Sequence, residues 1–172
     1  MRVEAIIFDL DGTLMDTEML SLDTLTEVAG PGYTLALHKR ILGMPGHQWT
    51  RIVIDELQLD TTPEEVAHHW HIVLASKYSA SVLLPGALEL VTSLQSKPIK
   101  VALATSSTSK AVAIKRSVHP ALFEGFEVIV CGDDPAVVKG KPSPDIFLVA
   151  AARLGIHDVS ACVVVEDSPA GV

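Results

Sequence analysis

The 172-residue sequence is short of cysteine, of aromatic residues and of long apolar runs, and these shortages exclude several classes of protein. Cys131 and Cys162 each lie in or beside an apolar run, which favours structural thiols over a disulfide framework or a zinc site. No apolar stretch approaches the roughly 18 residues of a membrane-spanning helix. Glu4 and Asp9 interrupt the segment where a signal peptide would be apolar. These features predict a cytoplasmic protein without a membrane partner.

Basic residues are also scarce, because 13 Lys and Arg stand against 21 Asp and Glu and give a formal net charge of −8. An acidic chain without clustered basic residues repels nucleic-acid phosphates and anionic lipids. We therefore expect a small-molecule ligand and no nucleic acid. At roughly 100 to 200 residues per domain, the length allows one core with a smaller inserted module. The acidic chain and the small insert favour a monomer.

Four short, nearly continuous apolar runs are typical of buried parallel strands. They cover residues 3–8, 99–104, 126–131 and 161–165, and each is followed by polar residues. Helical patterns lie between them, at residues 87–95, 110–118 and 145–154. The alternation predicts an α/β fold with a doubly wound parallel sheet.

Residues 17–81 break this alternation, because they show several helical patterns and no convincing strand. In this segment, Thr62 and Glu65 form the capping-box pattern of a helix N-terminus. We therefore predict an inserted α-helical cap that covers the carboxyl end of the first strand. The α/β core would then comprise residues 1–16 and 82–172.

The last residues, 168–172, begin with a Ser-Pro pair that is typical of a helix N-terminus. A fourth strand without a covering helix would leave apolar surface in water. We therefore expect the C-terminal part of the core to be missing from this sequence. One interpretation is then a non-catalytic fragment, or the first domain of a longer protein.

Polar side chains follow the predicted strands, at the edge where an open α/β sheet binds its ligands. The residues expected there are Asp9, Asp11, Thr105, Ser106, Glu166 and Asp167. Carboxylates at close range repel one another unless a cation neutralises them, and such oxygen ligands suit Mg²⁺. Lys141 would balance the remaining charge of a metal-bound phosphate. The pattern predicts phosphoryl transfer, in which Asp9 attacks phosphorus and Asp11 moves protons.

Each of these motifs also has a purely structural interpretation. The Asp-x-Asp-Gly-Thr sequence at residues 9–13 is a good turn, and residues 105–107 could cap the following helix. Lys141 lies in a Gly/Pro loop, where lysines are usually exposed to solvent. The acidic residues 166–167 could simply stabilise the N-terminus of a following helix through its dipole. The occurrence of all four motifs at one edge of the sheet favours the chemical interpretation.

These residues resemble the four motifs of the haloacid dehalogenase superfamily, which implies a Rossmann-like core. Residues 9–14 are similar to the first motif, Thr105 to the second, Lys141 to the third and residues 166–168 to the fourth. The position of the insert is similar to the helical cap of the β-phosphoglucomutase-like branch. Two further segments resemble pseudouridine-5′-phosphatase-like members, residues 102–107 and 131–135.

The resemblance implies that Asp9 forms an aspartyl-phosphate and that Asp11 is the general acid and base. It implies a Mg²⁺ site whose ligands are Asp9, the backbone carbonyl of Asp11 and Asp167, with Glu166 as a further ligand or as a residue that supports the ligands. It also implies a phosphate site formed by Thr105 and Lys141. The carboxylate of Asp11 favours phosphatases and phosphomutases over the metal-free dehalogenases. We expect a phosphatase of sugar, nucleotide or polyol monophosphates, with a phosphomutase as the alternative.

Four further residues are candidates for substrate binding. Ser106 and Ser107 follow the second motif. Gly43 and His47 lie in a Gly-rich segment of the insert, which either contacts the leaving group of the substrate or only connects two helices. We expect the three histidines at residues 68–71 to be solvated or packed rather than to bind a metal, since two imidazoles on one helix face make a poor metal site.

Overall fold

The computed structural model describes residues 3–42, 44 and 46–168. The chain divides into two compact units, one formed by residues 1–16 and 81–172 and the other by residues 17–80. The strands are β1 Ala5–Phe8, β2 Met15–Asp16, β3 Val82–Leu83, β4 Lys100–Thr105, β5 Val128–Cys131 and β6 Cys162–Val165. The helices are α1 Glu18–Ala29, α2 Leu35–Ile41, α3 Gly46–Leu57, α4 Pro63–Lys77, α5 Ala87–Gln95, α6 Ser109–Val118, α7 Pro120–Phe123 and α8 Asp145–Arg153.

The first unit is built on a four-stranded parallel sheet in the order β5-β4-β1-β6. Side chains of β1 alternate between its two faces, as the period of a strand requires. Phe8 packs with Val91 of α5 and Leu122 of α7, whereas Ile7 packs with Ile146 and Ala150 of α8. Helices therefore cover both faces of the sheet, which confirms the predicted α/β fold.

The second unit contains α1 to α4, and the structure describes no strand within it. Its core includes Leu25, Tyr33, Leu37, Trp49, Val53 and Val66. The predicted capping box of α4 is present: Thr62 Oγ1 accepts from the Glu65 amide at 3.3 Å, and Glu65 accepts from the Thr62 amide at 2.9 Å. β2 and β3, which flank this unit in sequence, form an antiparallel pair that the sequence patterns did not predict.

Strand β6 lies at the edge of the sheet, next to β1. Its Val163 and Val164 are 41% and 40% exposed. The helix start predicted at residues 168–172 lies outside the described residues except for Ser168. Cys131 and Cys162 are free thiols, each partly buried. None of the described helices is both long enough and apolar enough to cross a membrane.

Candidate active site

The site is centred on Asp9, which directly follows β1 between its two neighbouring strands. The backbone amide of Asp9 donates to the carbonyl of Val165, 2.9 Å away, at the end of β6. Its side chain is 7% exposed and Oδ1 lies 2.6 Å from Lys141 Nζ. The carboxylate is therefore held on a rigid strand end, inside the protein, against a cation.

Lys141 reaches this position from the loop that precedes α8. Its ammonium contacts Asp9 and, at 2.5 Å, Glu166 Oε2, and the side chain is only 9% exposed. The ring centroid of Phe147 lies 4.8 Å from Nζ, which adds a cation–π contact. The alternative of a solvent-exposed lysine in this loop is therefore wrong.

The electrostatic environment of Asp9 is unusual for a carboxylate. Burial raises the pKa of Asp9 to about 7, although the ammonium of Lys141 acts in the opposite direction. The negative charges of Glu166 and Asp11 raise this pKa further. A second cation beside Asp9 would favour its ionised form, which is the form that a nucleophile needs.

The Asp9 carboxylate and two others form a compact oxygen cluster. One oxygen each of Asp9, Glu166 and Asp167 lies within 4.8 Å of the others. Thr13 Oγ1 donates to Asp167 Oδ1 at 2.9 Å, and the Ser168 amide donates to Glu166 Oε1 at 3.1 Å. The donor set fits a hard divalent cation such as Mg²⁺. The cluster contains three of the four predicted metal ligands; the fourth, Asp11, is expected to contribute its backbone carbonyl.

Asp11 is held by residues from the end of β4 and from the loop and helix that follow it. Its two carboxylate oxygens lie 2.5 and 2.7 Å from Nζ of Lys115 on α6. Ser107 Oγ donates to Asp11 Oδ2 at 2.7 Å, and the fully buried Thr105 makes a longer contact of 3.5 Å with the same atom. The strand, the loop and the helix therefore converge on one carboxylate.

The residues predicted to bind substrate have different positions. Ser107 is engaged with Asp11, and Ser106 is exposed in the loop after β4. Residues 105–107 do not cap α6, because Thr108 is its N-cap and accepts from the Ala111 amide. Gly43 lies outside the described residues. His47 lies in α3, and its side chain is likewise not described.

Sequence reasoning missed Lys115 and Thr13 as members of this site. The signal for Lys115 was its spacing, since it lies three residues after Val112 and so on the same face of the helix. The side chains of Val112 and Lys115 are both buried in the structure. A lysine on the buried face of a helix needs an anionic partner, and Asp11 is that partner.

Comparison with known proteins gives a consistent set of relatives. The family model for haloacid dehalogenase-like hydrolases matches residues 3–172. A phosphorylated carbohydrates phosphatase of Thermotoga maritima is 39% identical over 176 residues, which are 99% of this chain and 79% of that protein. A Drosophila melanogaster protein named "Probable pseudouridine-5′-phosphatase" is 36% identical, over 99% of this chain and 76% of that protein.

The fold is also similar to that of solved structures. The crystal structure of a Thermotoga maritima protein assigned as a β-phosphoglucomutase matches with a TM-score of 0.77 at 35% sequence identity. The match covers 98% of this chain and 78% of that one.

Proposed function

The chain belongs to the haloacid dehalogenase-like hydrolase family, as its motifs predicted, and on that premise we propose that it is a Mg²⁺-dependent phosphatase of small phosphorylated metabolites. The two relatives described above are named as phosphatases and so support phosphomonoesterase activity. The observation that carries the proposal is the buried Asp9 carboxylate, held 2.6 Å from Lys141 and within the cluster of three acids.

The carboxylates of Asp9, Glu166 and Asp167 would hold the metal. When bound, Mg²⁺ would polarise the phosphoryl group of the substrate. It would also offset the repulsion between the negative charge of that group and the negative charges of the three carboxylates. The geometry at Gly12 supports this fit. A Cβ at Gly12 would lie 2.4 Å from Asp167 Oδ2, so the absence of a side chain lets the loop approach this carboxylate.

In the proposed reaction, an oxygen of Asp9 attacks phosphorus and the bond from phosphorus to the ester oxygen breaks. Asp11 donates a proton to that oxygen, so that the alcohol leaves neutral. A water molecule then attacks phosphorus while Asp11 accepts its proton, which releases phosphate and restores Asp9. Lys141 and Thr105 bind the phosphoryl oxygens in this scheme, and Lys141 also orients Asp9.

The test is release of phosphate from sugar, nucleotide and polyol monophosphates, with Mg²⁺ or with EDTA. Asp9→Asn removes the nucleophile and should lower kcat by roughly 1,000-fold or more. Asp23→Asn is a matched control, because it makes the same change at an exposed carboxylate of α1. Undiminished turnover by Asp9→Asn, or full activity in EDTA, would overturn the proposal.

A phosphomutase is the second candidate, since the 35% identical solved structure carries that assignment. A mutase and a phosphatase require the same nucleophile and the same acid, and they differ in the acceptor of the phosphoryl group. Product analysis separates them. Free phosphate in proportion to substrate consumed supports the phosphatase, whereas an isomeric phosphate ester supports the mutase.

A further inference from the structure

Lys115 is a buried lysine that the proposed reaction does not yet explain. Its side chain is 1% exposed, and Nζ lies within 2.9 Å of both Asp11 oxygens and of Ser107 Oγ. Removing an ammonium from water is costly unless it is paired and hydrogen-bonded. Its partner Asp11 is 30% exposed, so the buried cation holds an acid whose other side faces solvent.

The two oxygens of Asp11 have different surroundings. Oδ2 is contacted by Lys115 at 2.7 Å, by Ser107 at 2.7 Å and by Thr105 at 3.5 Å. Among the described residues, Oδ1 has a single hydrogen-bond contact, with Lys115 at 2.5 Å. Because its lone pairs already accept from these donors, Oδ2 is the anchored atom. Oδ1 has to release only one contact to reach a ligand.

We infer that Lys115 and Ser107 are positioning residues: Lys115 orients the Asp11 carboxylate through both oxygens, and Ser107 fixes Oδ2, which leaves Oδ1 as the atom that exchanges the proton. This inference rests on the proposed function. In the first half-reaction the proton leaves Oδ1 for the ester oxygen as the phosphorus–oxygen bond breaks. In the second half-reaction Oδ1 takes a proton from the attacking water.

The consequence is a specific dependence on the leaving group. A phenolate leaving group needs a proton from Asp11, whereas p-nitrophenolate departs without one. Phenyl phosphate and p-nitrophenyl phosphate are therefore matched probes with the same ring. The value of kcat/KM reports steps up to the departure of the phenol, before the shared hydrolysis of the aspartyl-phosphate.

We expect Lys115→Met to lower kcat/KM for phenyl phosphate by about 10- to 100-fold, because misplacing a reacting group by about 1 Å has an effect of this order. For p-nitrophenyl phosphate the loss should stay below about threefold. Lys115→Arg, which keeps the charge, should recover part of the phenyl phosphate activity. Lys110→Met is the control, because Lys110 is an exposed lysine on the same helix, and it should change neither value.

A second variant keeps the test valid if Lys115→Met does not fold, as judged by its thermal unfolding. Ser107→Ala removes one donor to Oδ2. It should also lower kcat/KM more for phenyl phosphate than for p-nitrophenyl phosphate, by a smaller factor than Lys115→Met does. Equal losses on the two probes, in either folded variant, would overturn the positioning role. A native protein that releases no phosphate with Mg²⁺, from these probes or from the sugar, nucleotide and polyol monophosphates, would instead overturn the proposed function itself.

Discussion

At the scale of single residues, Gly12 shows how little freedom the active-site loop has. Its φ of +88° lies in the left-handed region that favours glycine, and a Cβ there would collide with the Asp167 carboxylate. Two independent constraints therefore act at one position. The first concerns the backbone, and the second concerns the proposed metal site.

We predict that Gly12→Ala lowers kcat/KM with Mg²⁺ by about 100-fold or more, since a displaced Asp167 misaligns the site. Backbone strain should also lower the free energy of unfolding by about 1–2 kcal/mol. Phosphate release and urea unfolding measure the two effects.

Gly86→Ala separates the two constraints. Gly86 has a similar φ of +82°, but no atom lies within 4 Å of a Cβ built there. This variant should share the loss of stability and keep its activity within about threefold. If both variants lose activity equally, backbone strain rather than the Asp167 contact is responsible.

The site residues differ in how well the sequence predicts their position in the site. Asp9, Asp11 and the pair Glu166–Asp167 lie just after strands, so a correct strand pattern places them at one edge of the sheet. Lys115 is different, because it lies eight residues beyond Ser107 and inside a helix. Only packing shows that its face of α6 is directed at Asp11.

At the scale of elements, α4 begins with a capping box that satisfies amides at its N-terminus. Thr62→Ala removes the hydroxyl that accepts from the Glu65 amide, and we expect the free energy of unfolding to fall by about 1 kcal/mol. Urea unfolding followed by tryptophan fluorescence measures this loss. Trp49 and Trp70, the two tryptophans of the sequence, both lie in the unit formed by residues 17–80.

The control for the cap is Glu64→Ala, an exposed change in the same first turn that leaves the Thr62–Glu65 pair intact. Its effect should stay below about 0.5 kcal/mol. A Thr62→Ala variant as stable as the native chain would contradict the stabilising role of the cap.

The elements that the sequence predicts best are those with a strong physical signature. Buried parallel strands show continuous apolar runs, and α4 shows Thr62, Pro63 and Glu65 at its start. The two-residue strands β2 and β3 and the four-residue α7 are too short to show a period. Their formation depends on neighbours that are distant in sequence.

At the scale of the whole molecule, the α/β class follows from the alternation of apolar runs and helical patterns in the sequence. The order of the strands in the sheet does not. β1 lies between β4 and β6, which puts the end of β1 beside the ends of these two strands. Asp9, Thr105 and Glu166 meet because of that order. Long-range pairing of this kind is a property of the folded sheet, since no local pattern encodes which strands become neighbours.

The central claim is that Asp9 carries the phosphoryl group during turnover. The most direct measurement is an acid quench during steady-state hydrolysis with Mg²⁺, followed by peptide mapping of the protein by mass spectrometry. The account predicts one phosphoryl group on Asp9, which is absent from Asp9→Asn and from the protein in EDTA. Steady release of phosphate together with an unmodified Asp9 and an active Asp9→Asn variant would contradict it.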